Sequence, residues 1–175
     1  SDVYQRIAPL VEPLEKKYPG TLSFGVHISF PCIDLTAEVW QERKMARPSS
    51  GEMAKLRAGI DEAVGGICFT RARETLVEVV ARQLQEKGLT LATAESCTGG
   101  LLGKMLTDLA GSSSYYLGGA VCYANSAKEK FLGVKAESLK KWGAVSEPVA
   151  LEMAQSVRLA LKSDFALAIT GVAGP

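Results

Sequence analysis

The first part of the chain switches between the two hydrophobic periods that secondary structure produces. From about Val3 to Lys17, apolar residues recur every three or four positions, which predicts a helix that stops at Pro19 and Gly20. Residues 22–30 and 33–40 then alternate strictly between apolar and polar side chains, the period of half-buried strands. Because only Pro31 and Cys32 separate these runs, we expect an antiparallel hairpin with one apolar face.

A polar loop over residues 44–51 follows the hairpin. Helical spacing then predicts a helix over residues 52–64, which Gly65 and Gly66 end, and a short strand over residues 67–69. The order helix, hairpin, helix, strand predicts a small α+β domain over residues 1–69.

From residue 70 onward, helices alternate with short buried strands. The first helix is predicted over residues 70–87, with Thr70 as its N-cap and Gly88 as its C-cap. The pattern then predicts strands near residues 90–94, 118–124 and 165–170, and helices near residues 98–109, 126–132, 135–141 and 147–162. This alternation predicts an α/β fold, a three-layer αβα domain over residues 70–175, in which ligands bind at the carboxyl ends of the strands.

Composition and charge exclude several classes of partner. The 175 residues are 47% hydrophobic and 22% charged, an ordinary globular composition with room for two small domains. Lys and Arg number 20 against 19 Asp and Glu, so the charge excess of a nucleic-acid-binding protein is absent. No apolar run approaches the roughly 18 residues of a membrane span, and the first residues show no charged-then-apolar signal pattern. We therefore expect a cytoplasmic protein with no membrane partner.

The chain has few of the histidine and cysteine residues that bind transition metals. Its four cysteines show no C-x-x-C spacing and are predicted to be reduced thiols, and His27 is the single histidine. His27 falls on the polar side of a predicted strand, far in sequence from the other polar motifs, so neither a metal site nor a Ser-His-Asp triad is expected. A group other than histidine must activate any nucleophile, and we expect no cofactor.

The most informative stretch is residues 90–100, a buried strand followed by Glu95-Ser96-Cys97-Thr98 and two glycines. Ser96 is thereby predicted at a strand-to-helix turn, with its hydroxyl facing a substrate. The N–H groups of Thr98, Gly99 and Gly100 could then bind an anion or an oxyanion. On spacing alone, an ordinary helix N-cap explains these residues at least as well.

Two other strand ends carry polar residues. Tyr123, Asn125 and Lys128 follow one strand, and Thr170 with Gly171 follows another, so three strand ends are predicted to form one pocket. The run Gly111 to Ser114 could hold phosphate, although such a run is more often a surface loop. The run Ser146 to Pro148 has the pattern of a helix start, with Ser146 as N-cap, and is assigned no chemistry.

These motifs, read in series, resemble a known family. The segments LATAESCTGG, LGGAVCYANSAK, GAVSEP and ITGVAGP closely resemble the CinA C-terminal domain, the nicotinamide mononucleotide (NMN) deamidase family, and the resemblance covers roughly Leu76 to Pro175. The first domain is similar to the KH-like middle domain of full-length CinA proteins. It lacks the G-x-x-G loop with which KH domains clamp nucleic acid, so we expect it to act as a spacer or in homodimer contacts.

The resemblance implies hydrolysis of the NMN carboxamide to nicotinate mononucleotide and ammonia, a reaction of pyridine nucleotide salvage in NAD metabolism. It implies Ser96 as nucleophile and Lys128 as base, because Ser-Lys pairs serve where histidine is unavailable. Tyr123 is expected to orient Lys128 or to donate to the leaving amide. The expected substrate-binding residues are Glu95, Thr98, Gly99, Gly100, Asn125, Thr170 and Gly171.

Each assignment has an alternative from the residues alone. Lys128 fits a solvated surface lysine, Tyr123 a core aromatic, and Asn125 a helix N-cap. Cys97 is a rival nucleophile, ranked second because its side chain should point away from that of Ser96 and because the family uses the serine.

A rival function also remains open, in which the chain is an inactive CinA-like module for nucleotide binding or assembly. The chain starts without Met and stops after a glycine loop that continues in the family, so we expect a fragment whose second domain lacks its C-terminal part. Full-length relatives often carry a pyrophosphatase-like N-terminal domain, and none of its motifs is visible in this sequence.

Overall fold

The computed structural model describes residues 2–29, 32–40 and 45–172. The described chain divides into two compact units, the first ending at Arg73 and the second beginning at Glu74. The sequence pattern placed this boundary four residues earlier, between residues 69 and 70. The predicted turn residue Pro31, the predicted loop start Lys44 and the terminal Gly174 and Pro175 lie outside the described residues.

The first unit contains helix α1 (Asp2–Lys17), strands β1 (Leu22–Ser29) and β2 (Cys32–Val39), and helix α2 (Ser50–Val64). The two strands pair antiparallel, as their alternation predicts. Their apolar face joins the two helices in one core, which is built around Ile7, Val11, Leu56 and Val64. The predicted first helix and hairpin are therefore confirmed.

Two predictions for the first unit are wrong in detail. Helix α2 begins two residues earlier than predicted, because Ser49 caps it and the Glu52 carboxylate accepts a 2.9 Å hydrogen bond from the Ser49 N–H. No strand forms at residues 67–69, which the structure describes in full: Gly65–Ile67 is a 3₁₀ turn. The Cys68 N–H donates to the Gly65 carbonyl within this turn, so it does not pair with another strand.

The second unit opens with helix α3 (Leu76–Lys87), which starts six residues later than predicted. Its N-cap is Thr75 rather than Thr70, because Thr75 and Glu78 form a reciprocal capping box. The Thr70 hydroxyl instead accepts from the Ala72 N–H. The predicted C-cap is confirmed, since Gly88 adopts the left-handed conformation with φ of 61°.

Three parallel strands form the sheet of the second unit. They are β3 (Leu91–Glu95), β4 (Tyr116–Val121) and β5 (Phe165–Ile169), in the order β4-β3-β5. The remaining helices are α4 (Leu101–Thr107), α5 (Asn125–Leu132), α6 (Ala136–Trp142) and α7 (Glu147–Leu161). Across the described ranges, no helix combines the length and apolarity needed to cross a membrane.

The central strand β3 is buried on both faces. Ala92 and Ala94 pack against Met153 and its neighbours on α7, whereas Leu91 packs in a second core with residues of α3 and α4. The sheet therefore lies between two layers of helices, which confirms the predicted three-layer αβα arrangement and the α/β class.

The parallel topology brings three loops to one edge of the sheet. Glu95, the last residue of β3, lies opposite Val121 of β4 and Ile169 of β5. The Cys122 N–H donates to the Glu95 carbonyl at 2.7 Å, and the Ser96 N–H donates to the Ile169 carbonyl at 3.0 Å. These bonds continue the hydrogen bonding between the strands by one residue beyond Glu95. The loops that follow the three strands therefore begin side by side at the carboxyl edge of the sheet.

Candidate active site

Ser96 and Lys128 meet at this edge of the sheet. The Lys128 Nζ lies 2.9 Å from the Ser96 Oγ, across 32 positions of sequence. Ser96 begins the turn between β3 and α4, and Lys128 lies in the first turn of α5. Both are buried, with exposed fractions of 5% and 1%, so the alternative of a solvated surface lysine is wrong.

The Lys128 amine has two further partners, both main-chain carbonyls. Its Nζ donates to the carbonyls of Cys122 and Tyr123, each at 3.0 Å. Within the described ranges, no carboxylate lies at ion-pair distance from this amine. The amine is therefore held by one hydroxyl and two carbonyls rather than by a counter-charge.

A pocket of about 340 Å³ opens beside this pair. Its described lining consists of Ser96, Cys97, Tyr123, Asn125, Lys128, Ala144, Val145, Thr170, Gly171 and Val172. The structure thus brings together six of the ten residues proposed from sequence, from all three loops. Ala144, Val145 and Val172 were missed, because apolar residues in loops carry no chemical signal.

Tyr123 and Asn125 lie at the mouth of the pocket. The Tyr123 side chain is 68% exposed, so the alternative of a core aromatic is wrong, and its link to Lys128 runs through its carbonyl. Asn125 is the first residue of α5, and the N-cap is Ala124. Its amide is exposed on the pocket rather than engaged in capping.

Thr170 and Cys97 also line the pocket. The Thr170 hydroxyl donates to the Ala144 carbonyl at 2.8 Å, which ties the loop after β5 to the loop before α7. A Cβ added to Gly171 would lie 3.0 Å from the Cys97 Sγ, so glycine makes room for that thiol. Cys97 therefore lines the pocket together with Ser96, and its rank as the second candidate nucleophile stays a prediction.

The other four predicted binding residues do not line the pocket. The Glu95 carboxylate, 2% exposed, accepts hydrogen bonds from the N–H groups of Gly100, Leu102 and Gly103 at 3.1, 3.0 and 2.8 Å. The Gly99 N–H donates to the Ser96 carbonyl at 3.1 Å. Two of the three N–H groups expected to bind an oxyanion are therefore engaged within the turn.

The N–H groups of Cys97 and Thr98 have no acceptor among the residues that the structure describes, and Cys97 is the one of the two that lines the pocket. The Thr98 hydroxyl is buried near the Glu95 carboxylate without a hydrogen bond of normal geometry.

Glu95 remains ionised in this position. Burial raises the pKa of its carboxyl, but the hydrogen bonds led by the one from the Gly103 N–H outweigh burial and hold the pKa below its ordinary value. Nearby, burial raises the pKa of the Cys122 thiol.

Two other sequence motifs, residues 111–114 and 146–148, do not line the pocket. Residues 111–114 precede β4, at the amino end of the sheet, and the Ser114 hydroxyl donates to the Gly111 carbonyl. Ser146 occupies the N-cap position of α7, but its hydroxyl donates to the Gly143 carbonyl instead of accepting from the helix. Pro148 lies in the first turn, as predicted.

The described residues contain no group of three His, Cys, Asp or Glu side chains arranged to hold a metal ion. His27 is exposed on β1 of the first unit, and all four cysteines are free.

The second unit is thus a three-layer α/β domain with a buried serine-lysine pair at the carboxyl end of its sheet. A family model described as the CinA C-terminal domain matches residues 73–175, and the chain belongs to the CinA family. A CinA-like protein of Geobacter sulfurreducens is 46% identical over 155 residues, 86% of this chain and 37% of that protein. Another, of Syntrophomonas wolfei, is 40% identical over 173 residues, 97% of this chain and 42% of that protein. The chain thus spans about two fifths of these curated relatives.

Solved structures agree with this assignment. A competence-damaged protein (CinA) superfamily protein of Escherichia coli superposes with a TM-score of 0.57 at 35% identity, over 64% of this chain and 68% of that one. The competence damage-inducible protein A of Klebsiella pneumoniae gives 0.54 at 42% identity, over 55% and 60% of the two chains.

Proposed function

We propose that this chain hydrolyses the carboxamide of NMN to nicotinate mononucleotide and ammonia. The observation that carries the proposal is the 2.9 Å contact between the buried Lys128 Nζ and Ser96 Oγ, beside a pocket of about 340 Å³. That volume lies within the range of small-molecule sites. The choice of substrate is supported by the resemblance of four segments of this chain to the NMN deamidase family.

The partners of Lys128 suit a general base. A neutral lysine amine has two N–H groups and one lone pair. In the structure the Lys128 Nζ donates to the carbonyls of Cys122 and Tyr123 and to the Ser96 Oγ. In the proposed reaction the amine has lost the proton that it donates to Ser96, and its lone pair then faces the Ser96 hydroxyl. As the Ser96 Oγ attacks the carboxamide carbon, its proton passes to the Lys128 Nζ.

The same amine completes the reaction. Collapse of the tetrahedral intermediate breaks the C–N bond, and the proton held on Lys128 goes to the leaving nitrogen, which departs as ammonia. Water then gives a proton to Lys128 and attacks the acyl-enzyme, which releases nicotinate mononucleotide and restores the Ser96 hydroxyl. The complete reaction consumes one carboxamide and one water molecule and leaves Ser96 and Lys128 in their starting states.

The oxyanion of this scheme would bind the N–H group of Cys97, which lines the pocket. The Cys97 N–H directly follows the nucleophile in the chain, the position that supplies one donor in many serine hydrolases. The exposed Tyr123 ring and the Asn125 amide at the pocket mouth are the groups offered to the pyridine ring and the ribose.

Incubation of the purified protein with NMN tests the proposal. We expect equal amounts of ammonia and nicotinate mononucleotide, measured by an enzymatic ammonia assay and by mass spectrometry, and neither product from Ser96→Ala. Tight binding of NMN without ammonia release from the unaltered protein would support the rival function, a non-catalytic nucleotide-binding module.

For the first unit we propose the spacer or homodimer role that its resemblance to the KH-like domain implies. Light scattering of the chain with and without residues 1–73 tests this role. A dimer that survives removal of these residues would exclude them as the dimer contact.

A further inference from the structure

We infer that Glu95 is a positioning residue, which holds Ser96 in place by anchoring the start of α4 and does not contact the substrate. The inference rests on the proposed function, since it concerns the geometry of the Ser96 nucleophile. It replaces the substrate-binding role expected of Glu95 from sequence.

Glu95 is bonded to three elements at once. Its main-chain carbonyl accepts from the Cys122 N–H at 2.7 Å, directly after β4, and its own backbone ends β3. Its carboxylate accepts from the three N–H groups of Gly100, Leu102 and Gly103 at the start of α4. One residue therefore sets the distance between the end of the sheet and the beginning of the helix.

Ser96 lies in the turn that these bonds close. Its N–H donates to the Ile169 carbonyl, and its own carbonyl accepts from the Gly99 N–H. Gly99 and Gly100 adopt φ of 61° and 102°, the left-handed region that lets the chain return over the carboxylate. With both ends of the turn fixed, the Ser96 Oγ is held at 2.9 Å from the Lys128 Nζ.

Close approach of α4 to the carboxylate depends on Gly103. A Cβ at this position would lie 2.8 Å from the Tyr116 hydroxyl and 3.4 Å from the Glu95 Oε1. The Tyr116 hydroxyl is itself hydrogen-bonded to Thr93 at 2.7 Å, so it cannot move without breaking that bond. The anchor is therefore tightly packed as well as charged.

Glutamine cannot reproduce this anchor. Glu95→Gln keeps the shape but leaves one acceptor oxygen, and its NH₂ group is a donor facing the donors of α4. At least one half-buried N–H then loses its acceptor, and the start of α4 moves. The turn moves with it, which lengthens the contact between Ser96 and Lys128. Because an error of about 1 Å in a reacting group can cost about 100-fold in rate, turnover falls while substrate binding is retained.

The test compares E95Q with a carboxylate control, D164N. Asp164 accepts from the Thr90 N–H at 2.8 Å and from its hydroxyl at 2.7 Å, at the amino end of β3, away from the pocket. Measured per folded molecule with NMN, we expect kcat of E95Q to fall by about 10- to 100-fold with KM little changed. D164N should retain the unaltered kcat, although both variants lower the urea midpoint.

Crystal structures of E95Q and the unaltered protein give a readout that does not require turnover. We expect a longer distance between the Ser96 Oγ and the Lys128 Nζ in E95Q, and an unchanged distance would overturn the inference. So would a raised KM with normal kcat, which is the signature of a substrate contact. If the unaltered protein releases no ammonia, the proposed function fails, while this distance still decides the role of Glu95.

G103A is the second variant, for use if E95Q does not fold. Its added Cβ would lie 2.8 Å from the Tyr116 hydroxyl, so α4 must move away from β4 and its N–H groups shift relative to the Glu95 carboxylate without any change of charge. We expect the same pattern of lowered kcat and retained KM. Normal kcat in folded G103A, with these N–H groups shifted from the Glu95 carboxylate in the crystal, would overturn the inference.

Discussion

Burial of Lys128 is the residue-scale feature on which the proposed chemistry depends. Removing an ionised amine from water is costly unless a counter-charge or hydrogen bonds replace the solvent, and a lysine that only covers surface keeps its amine in solvent. Lys128 instead directs its amine to one hydroxyl and two carbonyls. In the proposed reaction this amine accepts the proton of Ser96, which is a role that requires the amine to be buried beside the hydroxyl.

Ser96→Ala is expected to abolish ammonia release from NMN while the fold persists. The substitution removes one hydroxyl, and the lost hydrogen bond costs about 1 kcal/mol of unfolding free energy. Ammonia release and urea unfolding measure the two effects. Cys97→Ala is the matched control in the same pocket and should keep substantial activity. Normal turnover by Ser96→Ala with an inactive Cys97→Ala would move the nucleophile to the thiol.

Lys128→Met should lower kcat by about 10²- to 10⁴-fold, the usual contribution of a general base. Methionine fits an apolar site of this length, but the two carbonyls lose their donor, so we expect unfolding free energy to fall by about 1–3 kcal/mol. Lys130→Met, at an exposed position of the same helix, is the control and should behave as the unaltered protein. Steady-state kinetics decide the matter: full activity of Lys128→Met would refute the role of the amine as base.

At the scale of elements, hydrogen bonds from main-chain N–H groups to side-chain oxygens determine where three of the helices begin. Helices α2 and α3 each start at a capping box, and α4 starts at the carboxylate of Glu95. In each case the carboxylate accepts from main-chain N–H groups that the helix itself cannot satisfy. The starts of these helices are therefore sensitive to single substitutions and to acid.

Thr75→Ala should destabilise the second unit by about 1 kcal/mol, because α3 loses the hydroxyl that accepts from the Glu78 N–H. Urea unfolding followed by circular dichroism measures the loss. Thr75→Ser keeps the hydroxyl and should restore most of the stability. Equal unfolding of the alanine variant and the unaltered protein would show that the capping box does not contribute.

Glu52 makes the first unit sensitive to acid. Hydrogen bonding to Lys17, followed by bonds from Ser49 and Tyr18, lowers the pKa of its carboxyl from 4.5 to about 2. Because the pKa in the folded state is the lower one, ionised Glu52 stabilises the fold above about pH 4.5, and this contribution disappears as the pH falls toward 2.

Urea unfolding of Glu52→Gln across this range tests the linkage. We expect the variant to be less stable than the unaltered protein at pH 6 and the difference to shrink as the pH falls from about 4.5 through about 2. A difference independent of pH would show that loss of the side-chain shape, rather than of the charge, is responsible.

For the whole molecule, the proposed function predicts selectivity for a nucleotide over a free amide. Ribose and phosphate contacts would hold the carboxamide against Ser96, so NMN should be hydrolysed far faster than nicotinamide. Ser96 and Lys128 supply nucleophile and base, so excess chelator should leave the rate unchanged. Ammonia release from each amide, with and without chelator, measures both effects. Equal rates on the two amides would leave a general amidase, and loss of activity on chelation would indicate a metal requirement.

The sequence by itself determined the order and type of most elements and the residues at the strand ends. Alternation over residues 22–40 predicted the hairpin, and Gly88 predicted the end of α3, because these signals depend on backbone geometry over a few residues. The order of strands and helices was enough to place Ser96, Tyr123 and Thr170 at one edge, since parallel strands share their carboxyl ends. Local signals failed for the start of α3, where the sequence pattern predicted Thr70 as the N-cap and the structure has Thr75.

Only the tertiary structure decided what each of these side chains contacts. Lys128 has the sequence context of a surface lysine, and its burial follows from the folding of α5 over Ser96, 32 residues away. Glu95 precedes the serine like a substrate ligand, yet its carboxylate is engaged by α4. The physical reason is common to both. A side chain's hydrogen-bond partners depend on how separate elements pack together, and the spacing of residues within one segment does not determine that packing.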